Sequence, residues 1–275
     1  MIRIHRTHVS RPLLVAAASL GIVLSAPAQP QFVEASLGPT IGFSHRSDEA
    51  SFADIDGDGD IDVVLVNTRP PTVLNNDGHG GLHPTIGRVP SLPGLPVATM
   101  GDVDGDGDTD LVASHSSATG GYRLVVMLND GRGLFTVASD IPTAQLGVSI
   151  LSLFDADRDG DLDLVASGGV INGIFMNLGG AVFRDETVGR LLSPIPVFAT
   201  CRPADIDGDG WVDLISAQPG IVDVLRNDGT GPFALSQTIV LPVFIAYWAL
   251  PVPADVDNDG DQDFFYSSST TNRAG

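Results

Sequence analysis

Five stretches of alternating aspartates hold most of the residues suited to chemistry in this chain. They are Asp54, Asp56, Asp58, Asp60 and Asp62; Asp102, Asp104, Asp106, Asp108 and Asp110; Asp155, Asp157, Asp159, Asp161 and Asp163; Asp205, Asp207, Asp209 and Asp213, with Trp211 among them; and Asp255, Asp257, Asp259, Asp261 and Asp263. Each stretch spans nine residues, with carboxylates at the first, third, fifth and ninth positions and glycine at the sixth. Such a loop is a cage for a hard cation. Calcium takes roughly six to eight oxygens at about 2.3–2.6 Å, and aspartates alternating round a tight turn supply most of them. The glycine permits the turn, because it adopts backbone angles that a side chain disfavours. The seventh residue is Asp in four loops and Trp211 in the remaining one, which suits a ligand that is only a backbone carbonyl. No histidine or cysteine lies within any loop, so zinc and copper find no nitrogen or sulfur to use. Magnesium shares the preference for oxygen but sheds its water reluctantly and seldom fills an all-protein cage. The bland alternative is a set of solvated acidic turns. Against it stands one glycine-centred pattern repeated five times. The reading is therefore about five calcium ions, one per loop.

The elements that position these carboxylates read as strands. An EF-hand would place Glu at the twelfth position and a helix after it, but the twelfth residues here are Leu65, Ala113, Ala166, Ser216 and Tyr266. The segments after the loops are short, apolar and β-branched, as at residues 63–66, 111–113 and 164–166, the mark of a buried strand. Residues 51–53, 98–100, 150–153 and 246–249 read as strands leading into loops. A third strand runs into a turn at Asn76-Asp77-Gly78, Asn129-Asp130-Gly131, Asn177-Leu178-Gly179 or Asn227-Asp228-Gly229, residues favoured in tight hairpins. A fourth strand comes next, as at 133–137 and 231–235. The first aspartates are separated by 48, 53, 50 and 50 residues. A period near that length, built from strands, marks the blades of an all-β propeller with four antiparallel strands per blade.

Composition narrows the function. The net charge of -20 and the absence of lysine argue against a nucleic-acid-binding surface. Of the 34 acidic residues, 24 sit in the five loops, so the remainder of the chain is nearly balanced. Arg3, Arg6 and Arg11 precede a largely apolar stretch at 13–24, and Ala26-Pro27-Ala28 puts small residues before a cleavage point after Ala28. Residues 1–28 are thus expected to be a signal peptide, and residues 29–275 a mature protein that is secreted, periplasmic or at the cell surface. That apolar stretch is too short to span a membrane, and the run at 239–252 is interrupted by Pro242 and Pro251. Cys201 is the single cysteine, so no internal disulfide forms and a buried structural thiol is expected.

The Asp-x-Asp-x-Asp-Gly-x-x-Asp loop with a hydrophobic strand after it resembles the FG-GAP or VCBS repeats of integrin-alpha-type β-propellers, over about residues 31–266. The resemblance implies that each loop joins the first two strands of a blade and binds calcium through its first, third, fifth, seventh and ninth positions. The literal Phe-Gly and Gly-Ala-Pro motifs are degraded here. Propellers of that family usually have seven blades, whereas five loops are visible and the fifth repeat stops soon after its second strand. Either the chain is a fragment of a longer ring or a small ring closes irregularly; residues 37–42 echo 82–87 and would supply an outer strand to the last blade. Alternating strand direction places all the loops on one face. A ligand is expected on the opposite face, where Arg69, His115, Tyr122 and Arg123 are candidates. No catalytic motif is visible. The expected function is a noncatalytic interaction or adhesion module with a protein or polysaccharide ligand, the alternative being a polysaccharide lyase or hydrolase on the same scaffold.

Overall fold

The computed structural model describes residues 2–3, 50–65, 71–93, 97–117, 121–143, 148–168, 172–191, 199–240, 251–255 and 262–266. These form four complete four-stranded antiparallel blades and part of a fifth. Strand β1 is Ile2–Arg3. The first blade is β2 (Ser51–Ala53), β3 (Asp62–Leu65), β4 (Thr72–Asn76) and β5 (Leu82–Ile86). The second is β6 (Val97–Gly101), β7 (Asp110–Ser116), β8 (Tyr122–Asn129) and β9 (Phe135–Thr143). The third is β10 (Ile150–Phe154), β11 (Asp163–Ser167), β12 (Gly173–Asn177) and β13 (Phe183–Asp185), with a single helical turn, α1 (Thr187–Arg190), after it. The fourth is β14 (Thr200–Ala204), β15 (Asp213–Gln218), β16 (Ile221–Arg226) and β17 (Ala234–Val240). Strands β18 (Pro251–Ala254) and β19 (Asp263–Tyr266) pair in the fifth repeat, with β1 beside β19. Within every complete blade the spatial order is the chain order. The architecture is that of a β-propeller.

The core lies between blades, and the period of two along each middle strand creates it. Along β7, Leu111 and Ala113 face the first blade and pack with Val64 and Val73, while Val112 faces the third and packs with Leu164 and Phe175. The same alternation sends Val125 and Met127 of β8 one way and Leu124 and Val126 the other. Both faces of a middle strand are covered, so it reads as a continuous apolar run instead of alternating with polar residues. The outer strands β5 and β17 are mostly exposed. Between blades three and four, Phe154, Val165, Ile174 and Met176 meet Cys201, Leu214, Leu225 and Phe233, with Phe154 and Phe233 edge to face at 6.3 Å between ring centres. At about 1.5–3 kcal/mol per fully buried large aliphatic or aromatic side chain, these interfaces dominate the cohesion of neighbouring blades.

The strand leading into the fifth loop is Pro251–Ala254; residues 246–249, expected in that role, lie outside the described residues, as do 37–42 and Arg69. Two prolines fit β18 because an innermost strand pairs on one side only, with β19. Pro203 occupies the matching innermost strand of the fourth blade. No helix among the described residues is long and apolar enough to cross a membrane.

Cys201 is a free thiol, wholly buried in the interface between the third and fourth blades, and burial pushes it up to about 12. The native protein should therefore leave a disulfide-exchange reagent unreacted at pH about 8, becoming reactive only on adding denaturant. Prompt labelling of the native chain would mean that this interface is open.

Candidate metal centres

The nine-residue loops join the first and second strands of their blades: Asp62 pairs with Ala53, Asp110 with Gly101, Asp163 with Phe154, Asp213 with Ala204 and Asp263 with Ala254. In the second, third and fourth loops the carboxylates at the first, third and ninth positions converge, each offering an oxygen within 4.8 Å of the others: Asp102, Asp104 and Asp110; Asp155, Asp157 and Asp163; Asp205, Asp207 and Asp213. In the first loop the converging group is Asp54, Asp56 and Asp58. Of the fifth loop, Asp255 and Asp263 are described, while Asp257, Asp259 and Asp261 are not.

Each loop is folded by its own carboxylates. The first aspartate takes backbone N–H groups from the fourth and sixth residues: Asp102 Oδ1 accepts from Gly105 at 2.8 Å and Oδ2 from Gly107 at 3.0 Å, and Asp54 and Asp205 repeat the pattern. Those two donors point inward because both residues sit in the left-handed region, with φ of 81° and 94° at Gly105 and Gly107. In the third loop the fourth residue is Arg158, also left-handed at 59°. The fifth aspartate caps the turn by accepting from the seventh residue's N–H: Asp58, Asp106, Asp159 and Asp209 all do so, at 2.8–2.9 Å.

The seventh side chain points away from the cage. Asp60, Asp108, Asp161 and Trp211 lie against Gly78, Gly131, Gly179 and Gly229 of their own blade's hairpin turn. At Gly131 a Cβ would stand 2.6 Å from Asp108 Oδ2. Trp211 can therefore replace Asp at the seventh position. Its ring is half-buried, with the Arg158 guanidinium 4.4 Å from its centre.

The ninth aspartate is the deepest group: Asp62, Asp110, Asp163 and Asp213 have no solvent exposure. One oxygen accepts from the N–H of the loop's second residue, as Ala156 to Asp163 at 2.8 Å, and the other from the hairpin asparagine, as Asn177 to Asp163 at 2.8 Å. Burial pushes Asp110, Asp163 and Asp213 up to about 6, against these two hydrogen bonds, with neighbouring loop carboxylates adding to the rise; Asp62 moves the same way for the same leading reason.

The hairpin asparagines read in the sequence as turn residues, yet they join blade to blade. Asn129 Nδ2 donates to Ile55 O of the preceding blade's loop, Asn177 Nδ2 to Val103 O and Asn227 Nδ2 to Ala156 O, each at 2.8 Å. The same groups bond the eighth carbonyl of their own loops. The recurring Asn-x-Gly at a near-constant offset from each loop carries this signal in the sequence.

The cages suit a hard cation on grounds beyond acidity. Asp56 Oδ1, Asp155 Oδ1 and Asp157 Oδ1 are buried without a hydrogen-bond partner, an arrangement whose desolvation cost a bound ion removes. The FG-GAP-like repeat profile matches residues 54–113, 102–166 and 205–266. The chain belongs to the FG-GAP-like repeat family. No curated protein matches it beyond that profile. Among solved structures, this FG-GAP-like chain is similar to an Agrocybe aegerita lectin described as recognising non-reducing terminal N-acetylglucosamine, at 21% identity and a TM-score of 0.57, covering 79% of this chain and 60% of that one. It is also similar to part of the Photorhabdus luminescens Tc holotoxin pore, at 24% identity and a TM-score of 0.50, covering 83% of this chain and 11% of that one. These FG-GAP-like repeats thus span less than two thirds of either chain, and at such identities the likeness is one of fold.

On the face opposite the loops, His115, Tyr122 and Arg123 meet where β7 passes to β8. Arg123 is committed to Asp140, donating to its carboxylate at 2.5 Å and its carbonyl at 2.9 Å. His115 is buried, its Nε2 3.8 Å from the same carboxylate, and Tyr122 is exposed.

The buried carboxyls make stability depend on pH, and any cation that needs them ionised would act against the same protons. A carboxyl held at about 6 inside the fold and near 3.8 in the unfolded chain binds its proton more tightly when folded, so its stabilising contribution is complete at low pH and disappears as pH rises through about 6. In chelator, the melting temperature should be higher at pH about 5 than at pH about 7.5, and saturating calcium, which needs the ionised form, should reverse that order. The asparagine bridges can be tested separately. Asn227→Ala strips a buried carbonyl of its partner and should cost about 1–3 kcal/mol in urea unfolding. Asn76→Ala, which removes an exposed bond to Ile61 O of its own loop, should cost clearly less; equal losses would show that the inter-blade bond contributes nothing.

Proposed function

We propose that this chain is an exported, calcium-stabilised propeller that acts as a noncatalytic binding module, with a carbohydrate as its ligand class and the face opposite the loops as its recognition surface. The observation that carries the reading is the recurrence of a converging carboxylate group in the loop between the first and second strands of four successive blades. Calcium would be held by the first, third, fifth and ninth carboxylates with the seventh carbonyl, supplying the charge that lets a buried aspartate stay ionised. Its work would be structural: the first carboxylate holds the loop's own turn, and the ninth joins loop to hairpin.

Export fits this role. Extracellular calcium near 1 mM and site affinities of roughly 0.1–1 mM would contribute about 0.4–1.4 kcal/mol per loop by linkage, a useful share of the roughly 5–15 kcal/mol that stabilises a domain. Cleavage after Ala28 would also remove β1 and release that edge of β19. The lectin similarity supports a sugar as the ligand class, and Tyr122, exposed beside the Arg123–Asp140 pair, offers the amphipathic surface on which sugars stack.

Calorimetric titration of calcium into the chelator-stripped chain, paired with thermal melting, should show several ions bound and a marked rise in melting temperature. A melting temperature indifferent to calcium would end the structural-calcium reading. A glycan array probed in calcium should show binding without release of cleaved product; product release would instead establish an enzyme.

A further inference from the structure

The described cages are not equivalent, and the residue that separates them is the one immediately before each hairpin asparagine: Asn75, Leu128, Met176 and Arg226. In the first blade Asn75 Nδ2 donates to Asp56 Oδ2 at 2.6 Å, which places this strand position against the carboxylate at the third position of the loop. Leu128 and Met176 offer nothing polar there. In the fourth blade Arg226 reaches into the cage: Nη2 contacts Asp207 Oδ2 and lies 3.7 Å from Asp209 Oδ2, while Nε stands 3.2 Å from the buried Asp213 Oδ2. One guanidinium thus lies within ion-pair reach of the carboxylates at the third, fifth and ninth positions, its Nε making no hydrogen bond.

The fourth loop differs in two further ways. Its seventh position is Trp211, so it carries four carboxylates where the other loops carry five. Arg158 of the third loop donates to its Gly210 and Asp209 carbonyls at 2.9 and 3.2 Å and covers Trp211.

We propose that Arg226 is the resident cation of the fourth loop, so that this blade is held closed by a guanidinium and binds calcium far more weakly than the loops of the second and third blades. A guanidinium stays protonated at all ordinary pH. It has five donors in a planar fork, which matches several carboxylates at once. A divalent ion entering this cage must displace that fork or share the site with a like charge. The third loop is an intermediate case: Arg190 of α1 donates to Asp157 Oδ2 at 3.0 Å from the side, yet Asp155 Oδ1 and Asp157 Oδ1 remain without a partner.

The inference rests on calcium binding at the other loops, and the test separates the two. Calcium bound at saturation is counted by equilibrium dialysis on the chelator-stripped full chain, on Arg226→Leu, which installs the second blade's residue, and on Leu128→Arg, which installs the fourth's. Arg226→Leu should bind one more ion per chain than the parent, melt several degrees lower in chelator, and gain more from added calcium. Leu128→Arg should bind one fewer. If Arg226→Leu fails to fold, Leu128→Arg decides the matter by its count alone. Equal counts in all folded chains overturn the proposal while leaving the calcium reading intact; no calcium bound by any chain overturns both.

Discussion

A carboxylate with no solvent exposure is the group on which each blade closes. Asp62, Asp110, Asp163 and Asp213 are buried completely, and burying a charge without compensation is among the costliest steps in folding. Two backbone N–H groups offset part of the cost at each site, one from the loop and one from the hairpin asparagine. Because the two donors come from the two connections on one face of the blade, satisfying the carboxylate also fixes the loop against the third strand. The same asparagine then spends its side chain on the preceding blade. Closure of the blade and docking of neighbouring blades are in this way coupled through one aspartate and one asparagine, and burial holds that aspartate above the ordinary carboxylate range.

Much of this is legible in the sequence because its cause is periodic. Carboxylates alternating round a glycine, an apolar β-branched run after them and an interval near fifty residues are each local patterns, and together they define loop, buried second strand and blade. The seventh position is legible for the same reason: a tryptophan among aspartates excludes a side-chain ligand, and Trp211 indeed turns to the hairpin glycine. The pattern hides the contacts between residues far apart. Asn129 reads as a turn former, and its bond to Ile55 O crosses 74 residues. Arg190 reaches Asp157 from a helical turn too short to leave any helical periodicity in the sequence. Arg226 sits in a strand where an apolar residue would have served, and only the fold shows that its side chain turns into the cage. The prolines of Pro251–Ala254 conceal an innermost strand, since proline argues against a strand wherever both edges must pair.

The division of labour between faces arises from strand direction. First-to-second and third-to-fourth connections emerge together, so loop and hairpin must fit each other as well as the next blade, and their residues recur. Second-to-third connections emerge on the other side, where among the described residues no wholly buried aspartate lies. There the second blade carries an Arg123–Asp140 pair beside Tyr122, while in the fourth the turn between β15 and β16 is short, with Gly220 left-handed at 80°. Variation on that face costs the scaffold little, which is the physical condition for placing recognition there. On the loop face, by contrast, the buried ninth aspartate calls for a positive charge beside it, a demand the seventh position does not share, since Trp211 stands there. At the fourth loop Arg226 supplies that charge with a guanidinium, and at loops without such a residue the proposed calcium ion would supply it.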